Sequence, residues 1–148
     1  MVSIDLQNDQ ALVALPSLDQ FSLWVESSLV RPFSNLEQTI RVVTAAESQS
    51  LNARFRGIEK PTNVLSFATD SNYLDYEYLG DLVICAPIVE LEAQQQGKSN
   101  TAHWAHMVVH GMLHLQGFDH QNDAEANEME ALEAKILSTL GHASPYNG

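Results

Sequence analysis

The sequence predicts an α+β fold: a single domain in which a small mixed β-sheet of three to four strands is packed by four to five helices. The chain of 148 residues has the length of one domain, and no repeat, linker or low-complexity stretch interrupts it. Short β-branched segments occur between segments with helical spacing or composition. We therefore expect one domain that spans residues 1–148.

The first half of the chain contains three candidate strands and two candidate helices. Residues 2–6 are a candidate strand, and the apolar side chains of residues 17–30 recur close to helical spacing. Residues 39–44 are rich in β-branched side chains, which are typical of a strand. Residues 45–55 favour a helix, and residues 62–67 favour a second strand of the central sheet.

The second half contains one more strand and three helices. Residues 70–78 are polar and aromatic without periodicity, which indicates a loop or a hairpin turn, and the apolar residues 81–85 indicate a strand. Residues 88–96, 101–116 and 122–140 favour helices.

Polar residues and glycines predict where several helices begin and end. Ser17 and Asn100 are candidate N-caps, because their side-chain oxygens can accept from the first backbone N–H groups of a helix. Gly57, Gly97 and Gly141 stand where helices are expected to end.

The net charge of −12 argues against nonspecific binding of nucleic acid, because phosphate contacts require Lys and Arg. The placement of the charges weakens that argument. Four of the seven basic residues fall within one twenty-residue window, and many acids concentrate in the last helix. The four are Arg41, Arg54, Arg56 and Lys60. The sequence thus predicts a small basic cleft on an acidic body.

The sequence favours a cytoplasmic protein without membrane contact. No apolar run approaches the ~20 residues that span a bilayer, and the first residues lack the pattern of a signal peptide. Cys85 is the single cysteine, so no intrachain disulfide can form, and we expect it to be a small buried apolar residue. The chain has no phosphate-binding Gly-rich loop followed by Lys, so we expect no nucleotide cofactor.

Residues 110–120 (His-Gly-Met-Leu-His-Leu-Gln-Gly-Phe-Asp-His) carry the strongest chemical signal. On a helix, His110 and His114 lie one turn apart on one face, and Gly117 permits a turn that returns His120 toward them. Three imidazoles leave one position open on a tetrahedral Zn²⁺ ion, which is the pattern of a catalytic site. We therefore expect one zinc ion per chain, held by these three histidines.

The spacing of these residues matches the zinc-protease signature of metzincins, with one departure. Gly111 stands where those proteases place the glutamate that serves as general base. The run therefore predicts a hydrolytic metal site built for a different chemistry.

Together with three other segments, the histidine run resembles the YbeY endoribonucleases, the bacterial rRNA maturation factors. The other segments are residues 54–57 (Arg-Phe-Arg-Gly), 60–67 (Lys-Pro-Thr-Asn-Val-Leu-Ser-Phe) and 79–84 (Leu-Gly-Asp-Leu-Val-Ile). The resemblance implies a zinc-dependent, single-strand-specific endoribonuclease in 3′-end maturation of small-subunit rRNA and in ribosome quality control. It also implies RNA and the small ribosomal subunit as partners, with a ribosomal protein and an assembly GTPase as candidates.

Arg56 is the expected catalytic residue. A guanidinium suits phosphate oxygens, but Arg56 could equally be an exposed helix-end residue, and the resemblance decides for the catalytic role. Asp119 is expected either to orient an imidazole or to cap the following helix. His103 and His106 are expected to be packing or surface residues.

Three further residues are candidates for the cleft. Asn63 and Ser66 could hydrogen-bond a substrate or shape the cleft, an interpretation that rests mainly on the resemblance. Asp81 could point toward the metal site.

Two other functions fit the same residues. The first is a metal-dependent hydrolase of peptides or small amides, which the spacing favours and Gly111 opposes. The second is a non-catalytic ribosome-assembly factor whose zinc is structural. For the nuclease, the general base stays unassigned: it could be a zinc hydroxide or a water chain, or the RNA's own 2′-hydroxyl could serve as the nucleophile.

Overall fold

The computed structural model describes residues 2–8, 15–69 and 77–146, which form four strands and five helices. The strands are β1 (Val2–Gln7), β2 (Leu36–Val43), β3 (Val64–Ala68) and β4 (Glu77–Cys85). The helices are α1 (Leu18–Ser27), α2 (Ala45–Arg56), α3 (Ala86–Gln96), α4 (Asn100–Leu115) and α5 (Asp123–Thr139). The predicted α+β fold with a small mixed sheet is confirmed.

The four strands form one sheet in the order β1-β2-β4-β3. Strands β1, β2 and β4 run parallel, and β3 runs antiparallel to β4 at one edge. Helix α1 connects β1 to β2, as a parallel crossover requires, and α2 begins the connection from β2 toward β3 and β4. The edge position of β3 leaves one side of that strand available to a cleft.

The helix ends follow local capping chemistry. Ser17 begins α1 through a capping box with Gln20, as expected for this N-cap. Helix α2 ends at Gly57, whose φ of 71° lies in the left-handed region. The expected N-cap Asn100 is wrong: the cap of α4 is Ser99, whose hydroxyl accepts from the backbone N–H of Ala102.

Some strand and helix boundaries differ from the predicted ones. Strand β2 begins at Leu36, three residues earlier than expected, because it pairs with β1 from that residue on. Strand β4 begins at Glu77 and includes Tyr78, which the sequence had placed in the loop over residues 70–78. The remainder of that predicted loop, residues 70–76, lies outside the described residues.

The main core lies between the sheet and α4. An apolar stripe of α4 is buried, from Trp104 through Val108 and Met112 to Leu115. Trp104 packs edge-to-face on Phe21 of α1, with ring centroids 5.8 Å apart. Helix α4 is therefore enclosed over most of its length, and its position relative to the sheet is set by this burial.

The other face of the sheet carries a smaller apolar cluster beneath α2. Val43, Leu65, Val83 and Cys85 are buried there, with Leu51 of α2 packed against them. The expected burial of Cys85 is confirmed. The C-terminal end of α2 is thereby held beside β3, which places Arg56 near the edge of the sheet.

Candidate metal centre and its cleft

The three histidines of the run converge as their spacing predicts. His110 and His114 lie one turn apart on α4, and their Nε2 atoms are 3.1 Å apart. Gly117, with a φ of 100°, turns the chain after α4, and the N–H of Phe118 donates to the Leu113 carbonyl. That turn brings His120 back, so that one ring nitrogen from each histidine lies within 4.8 Å of the others.

This donor set fits a zinc ion. Two nitrogens on one tetrahedral zinc lie roughly 3.3 Å apart, since each Zn–N bond is about 2.0–2.1 Å long. The observed 3.1 Å between Nε2 of His110 and Nε2 of His114 is close to that value. His110 and His114 are partly buried, whereas the side chain of His120 is 58% exposed. The exposed side is the one from which a fourth ligand or a substrate would approach.

The surroundings of His114 favour the neutral imidazole that a metal requires. Burial lowers the pKa of His114, and the neighbouring rings of His110 and His120 lower it further. The carboxylates of Asp119 and Glu133 oppose this shift. A lowered pKa keeps the ring unprotonated at neutral pH, with a lone pair available to the metal.

Glu133 is the functional residue that the sequence interpretation missed. It was one of many acids in the last helix, but its side chain is fully buried against α4. Its Oε1 lies 2.5 Å from Nδ1 of His110, and its Oε2 lies 3.2 Å from Nε2 of His106. The hydroxyl of Tyr146 donates to the same carboxylate. One signal was available: Glu133 shares the helical face of the apolar residues Met129, Ile136 and Leu137.

The hydrogen bonds around Glu133 decide its charge and the tautomer of His110. Burial alone would raise the pKa of Glu133, but hydrogen bonds with His106, His110 and Tyr146 lower it to about 2. An ionised Glu133 accepts the Nδ1–H of His110 and leaves the lone pair on Nε2, which faces the other ligands. His106, expected to be a packing or surface residue, shares this carboxylate. His103, for which the same was expected, is buried, and its Nε2 lies 2.8 Å from Oε1 of Glu92 on α3.

Replacing Glu133 by glutamine is expected to weaken zinc binding by roughly 10- to 100-fold, the usual effect of losing a partner of a metal-bound histidine. The variant keeps the shape of the side chain but not the negative charge that accepts from His110. Zinc affinity would be measured by competition with a chromophoric chelator. The exposed Glu128 of the same helix provides the matched control, and an unchanged affinity in Glu133→Gln would contradict this role.

Asp119 does not cap α5, and its expected role of orienting an imidazole stays a prediction. The carboxylate accepts from the backbone N–H of His120 at 2.7 Å, and it stays 3.9 Å from Nδ1 of that residue, beyond hydrogen-bond distance. The cap of α5 is Asn122, which accepts from the N–H of Glu125 at 2.9 Å. Asp119 instead lines the cleft and orders the turn that carries His120.

The histidines open on a cleft of about 710 Å³ that runs along the edge strand β3. Arg56 lines this cleft from the end of α2. Ser66 lines it from β3, and Asn63 lines it from the position just before that strand. The structure therefore brings Arg56, Asn63 and Ser66 together with the metal ligands. We call this space the metal cleft.

Asn63 and Ser66 are held by hydrogen bonds within the protein. Ser66 donates to the Gly111 carbonyl at 3.2 Å, and this ties β3 to the metal-bearing helix. Asn63 donates to Glu92 at 3.0 Å and accepts from the backbone N–H of Val64 at 2.7 Å. These contacts favour the cleft-shaping interpretation of the two side chains over direct contact with a substrate.

The expectation that Asp81 points toward the metal site is wrong. Side chains alternate along a strand, and Gly80 and Leu82 occupy the face of β4 that packs against α4. Asp81 therefore lies on the face beneath α2, where the Tyr78 hydroxyl donates to it. It lines a second cavity instead of the metal cleft.

Gly111 is required by the close approach of α4 to the sheet. A Cβ atom at this position would lie 2.7 Å from the Leu82 side chain and 3.3 Å from Oγ of Ser66. The position faces the side chains of Leu82 on β4 and of Val64 and Ser66 on β3, so a larger residue there requires these side chains to move. The departure from the metzincin pattern is thus part of the packing of this fold.

A small α+β domain with three converging histidines beside an open cleft has the design of a metal-dependent hydrolase. A family model described as endoribonuclease YbeY matches residues 6–141. The chain belongs to this family. Membership implies a metal-dependent endoribonuclease with an RNA substrate in rRNA processing.

The fold is also similar to a solved structure. The solution structure of TM1509 from Thermotoga maritima superposes with a TM-score of 0.57 at 24% sequence identity. The match covers 93% of this chain and 87% of that one.

None of the helices in the described ranges combines the length and the apolar character that a membrane crossing requires.

Proposed function

We propose that this protein is a zinc-dependent, single-strand-specific endoribonuclease that matures the 3′ end of small-subunit rRNA and acts in ribosome quality control. The observation that carries the proposal is that three histidines and Arg56 line one open cleft. One zinc ion per chain would be held by His110, His114 and His120. The proposed substrate places the activity in the cytoplasm, with the small ribosomal subunit, a ribosomal protein and an assembly GTPase as partners.

Each residue of the site has a distinct task in this mechanism. His110, His114 and His120 would hold the zinc ion, which would supply a Lewis acid toward a water or a phosphate oxygen. Arg56 offers planar N–H donors to the phosphate and neutralises the charge that develops during cleavage. Glu133 holds His110 in one orientation and tautomer. Because Gly111 stands where a catalytic carboxylate is usual, we expect a solvent-derived base to accept the proton, with either a water or the RNA's own 2′-hydroxyl as the nucleophile.

The charge distribution agrees with a local phosphate contact on an acidic protein. Arg54, Arg56 and Lys60 are exposed, and Arg56 lines the metal cleft. Arg41, which the sequence grouped with them, is ion-paired with Glu47 and lines the second cavity instead. With few cations at the site, we expect modest RNA affinity away from the ribosome and a shallow dependence on salt.

The contacts also bear on the two alternative functions. Among the described strands, β3 pairs on one side only, and its other side could align an extended peptide, which favours a peptide hydrolase, but Gly111 provides no general base. A structural zinc is normally enclosed by four protein ligands. The three histidines here open on a cleft of about 710 Å³, which favours a catalytic ion.

The test compares zinc-loaded and metal-free protein on single-stranded RNA, on the same RNA in a duplex, and on an unstructured peptide. We expect cleavage of the single strand alone, and only with metal. Bound zinc without any cleavage would support the assembly factor, whereas cleavage of the peptide would support the peptide hydrolase. Either result would contradict the nuclease.

A further inference from the structure

A second cavity of about 320 Å³ lies on the face of the sheet beneath α2. Its floor follows the strand register: Thr39 of β2 pairs with Asp81 of β4, which pairs with Phe67 of β3. Paired residues point to the same face, so these three side chains form a row across the sheet. Leu51 and Phe55 of α2 form the opposite wall.

The centre of this floor is a polar cluster with acceptor character. The hydroxyl of Tyr78 donates to Asp81 and lies 3.2 Å from Oγ1 of Thr39. Burial raises the pKa of Asp81, a hydrogen bond with Thr39 lowers it, and the charge of Asp5 raises it. A carboxylate that has lost part of its hydration gains most from additional N–H donors.

Aromatic rings separate this cavity from the metal cleft. Phe55 and Phe67 line both spaces, and their ring centroids lie 5.1 Å apart in an edge-to-face arrangement. Phe55 is 57% exposed, although it is a large apolar side chain that directly precedes Arg56. An exposed ring beside a phosphate-binding group is the arrangement by which proteins stack an unpaired base.

We propose that the second cavity is a nucleobase subsite, which we call the base pocket and define by Thr39, Phe55, Phe67, Tyr78 and Asp81. A single-stranded RNA whose phosphate lies at Arg56 would place a flanking base on Phe55, with the edge of the base toward Asp81. The volume of about 320 Å³ is at the small end of ligand pockets, which span about 300–1,000 Å³. The inference rests on the proposed RNA substrate.

The floor also indicates which bases the pocket prefers. The Asp81 carboxylate accepts N–H groups and repels carbonyl oxygens, and Arg41, the one cation among the described residues that line the cavity, is ion-paired with Glu47. Adenine, cytosine and guanine each carry an exocyclic amino group, whereas uracil presents two carbonyls around its single N–H. The base pocket should therefore favour a base with an amino group over uracil at one position beside the cleavage site.

The test uses zinc-loaded full-length protein and single-stranded RNAs in which one nucleotide at a time is made abasic. In the unmodified protein, one flanking position should show a loss of kcat/KM of roughly 5- to 150-fold, the range measured for base stacking on aromatic rings. Phe55→Ala should remove this abasic penalty, and Phe55→Trp should retain it. Leu91→Ala, an exposed apolar residue on α3, should leave the penalty unchanged.

A second variant examines the floor. Asp81→Asn should reduce the preference for amino-bearing bases over uracil at the same position while the stacking penalty persists. If the unmodified protein cleaves RNA and Phe55→Ala shows the same abasic penalty, the base pocket is wrong, while the proposed nuclease function is supported. If no RNA is cleaved, the proposed function fails. Anisotropy measurements of RNA binding then test the base pocket: an abasic position should weaken binding to the unmodified protein but not to Phe55→Ala, and an equal loss in both would contradict the pocket.

Discussion

Replacing His114 by alanine is expected to remove zinc and to reduce RNA cleavage by on the order of 10³-fold or more, because several kcal/mol of charge stabilisation come from the metal. His114 supplies one of three converging nitrogens, and two imidazoles cannot hold the ion in the same geometry. Elemental analysis of the purified variant beside the unmodified protein measures the metal, and single-stranded RNA measures cleavage in the same preparations.

His142→Ala is the matched control, because His142 lies after α5 and lines neither the metal cleft nor the base pocket. This control should retain about one zinc per chain and full cleavage. Circular dichroism of each variant separates loss of metal from loss of fold. A His114→Ala protein that retains zinc and cleaves normally would exclude the histidine centre as the catalytic site.

Replacing Arg56 by alanine is expected to reduce cleavage by roughly 10²- to 10³-fold while zinc stays bound. Arg56 lines the metal cleft from α2, whereas the histidines come from α4 and the turn after it, so the metal centre does not depend on its side chain. Arg56→Lys should recover part of the rate, since lysine keeps the charge but loses the planar donors.

The salt dependence of RNA binding distinguishes a phosphate contact from a structural role for Arg56. Losing one phosphate contact should reduce the slope of log K against log salt by roughly 0.7 for a single strand. Arg31, which stacks over Phe33 and lines neither the metal cleft nor the base pocket, is the control for the loss of an exposed arginine. A full cleavage rate in Arg56→Ala would contradict the proposed mechanism.

The sequence predicted the part of the centre that depends on local geometry. His110 and His114 share one helical face, and the turn at Gly117 needs only the conformational freedom of glycine. The clustering of these residues with His120 therefore follows from a stretch of eleven residues. The partner Glu133 is different, because it contacts His110 only after α5 packs against α4. Helical spacing places Glu133 on the apolar face of α5, but it does not indicate which histidine of α4 that carboxylate contacts.

Asp81 shows a second limit of reasoning from the sequence. Motif resemblance indicated that residues 79–84 matter, but the face on which each side chain lies depends on the alternation along β4 and on which face α4 covers. Both are tertiary facts. Gly111 shows the same limit. The sequence contains a glycine at this position, but only the packed structure shows that α4 approaches Leu82 there.

Two carboxylates that contact α4 help to fix the orientation of the metal-binding imidazoles. Glu92 of α3 binds His103, and Glu133 of α5 binds His106 and His110 from a different neighbouring helix. An apolar stripe tolerates small rotations of a helix about its axis, but directional hydrogen bonds to carboxylates do not. The rotation of α4 about its axis, and therefore the direction of the His110 and His114 side chains, is determined by α3 and α5, which contribute none of the three histidine ligands.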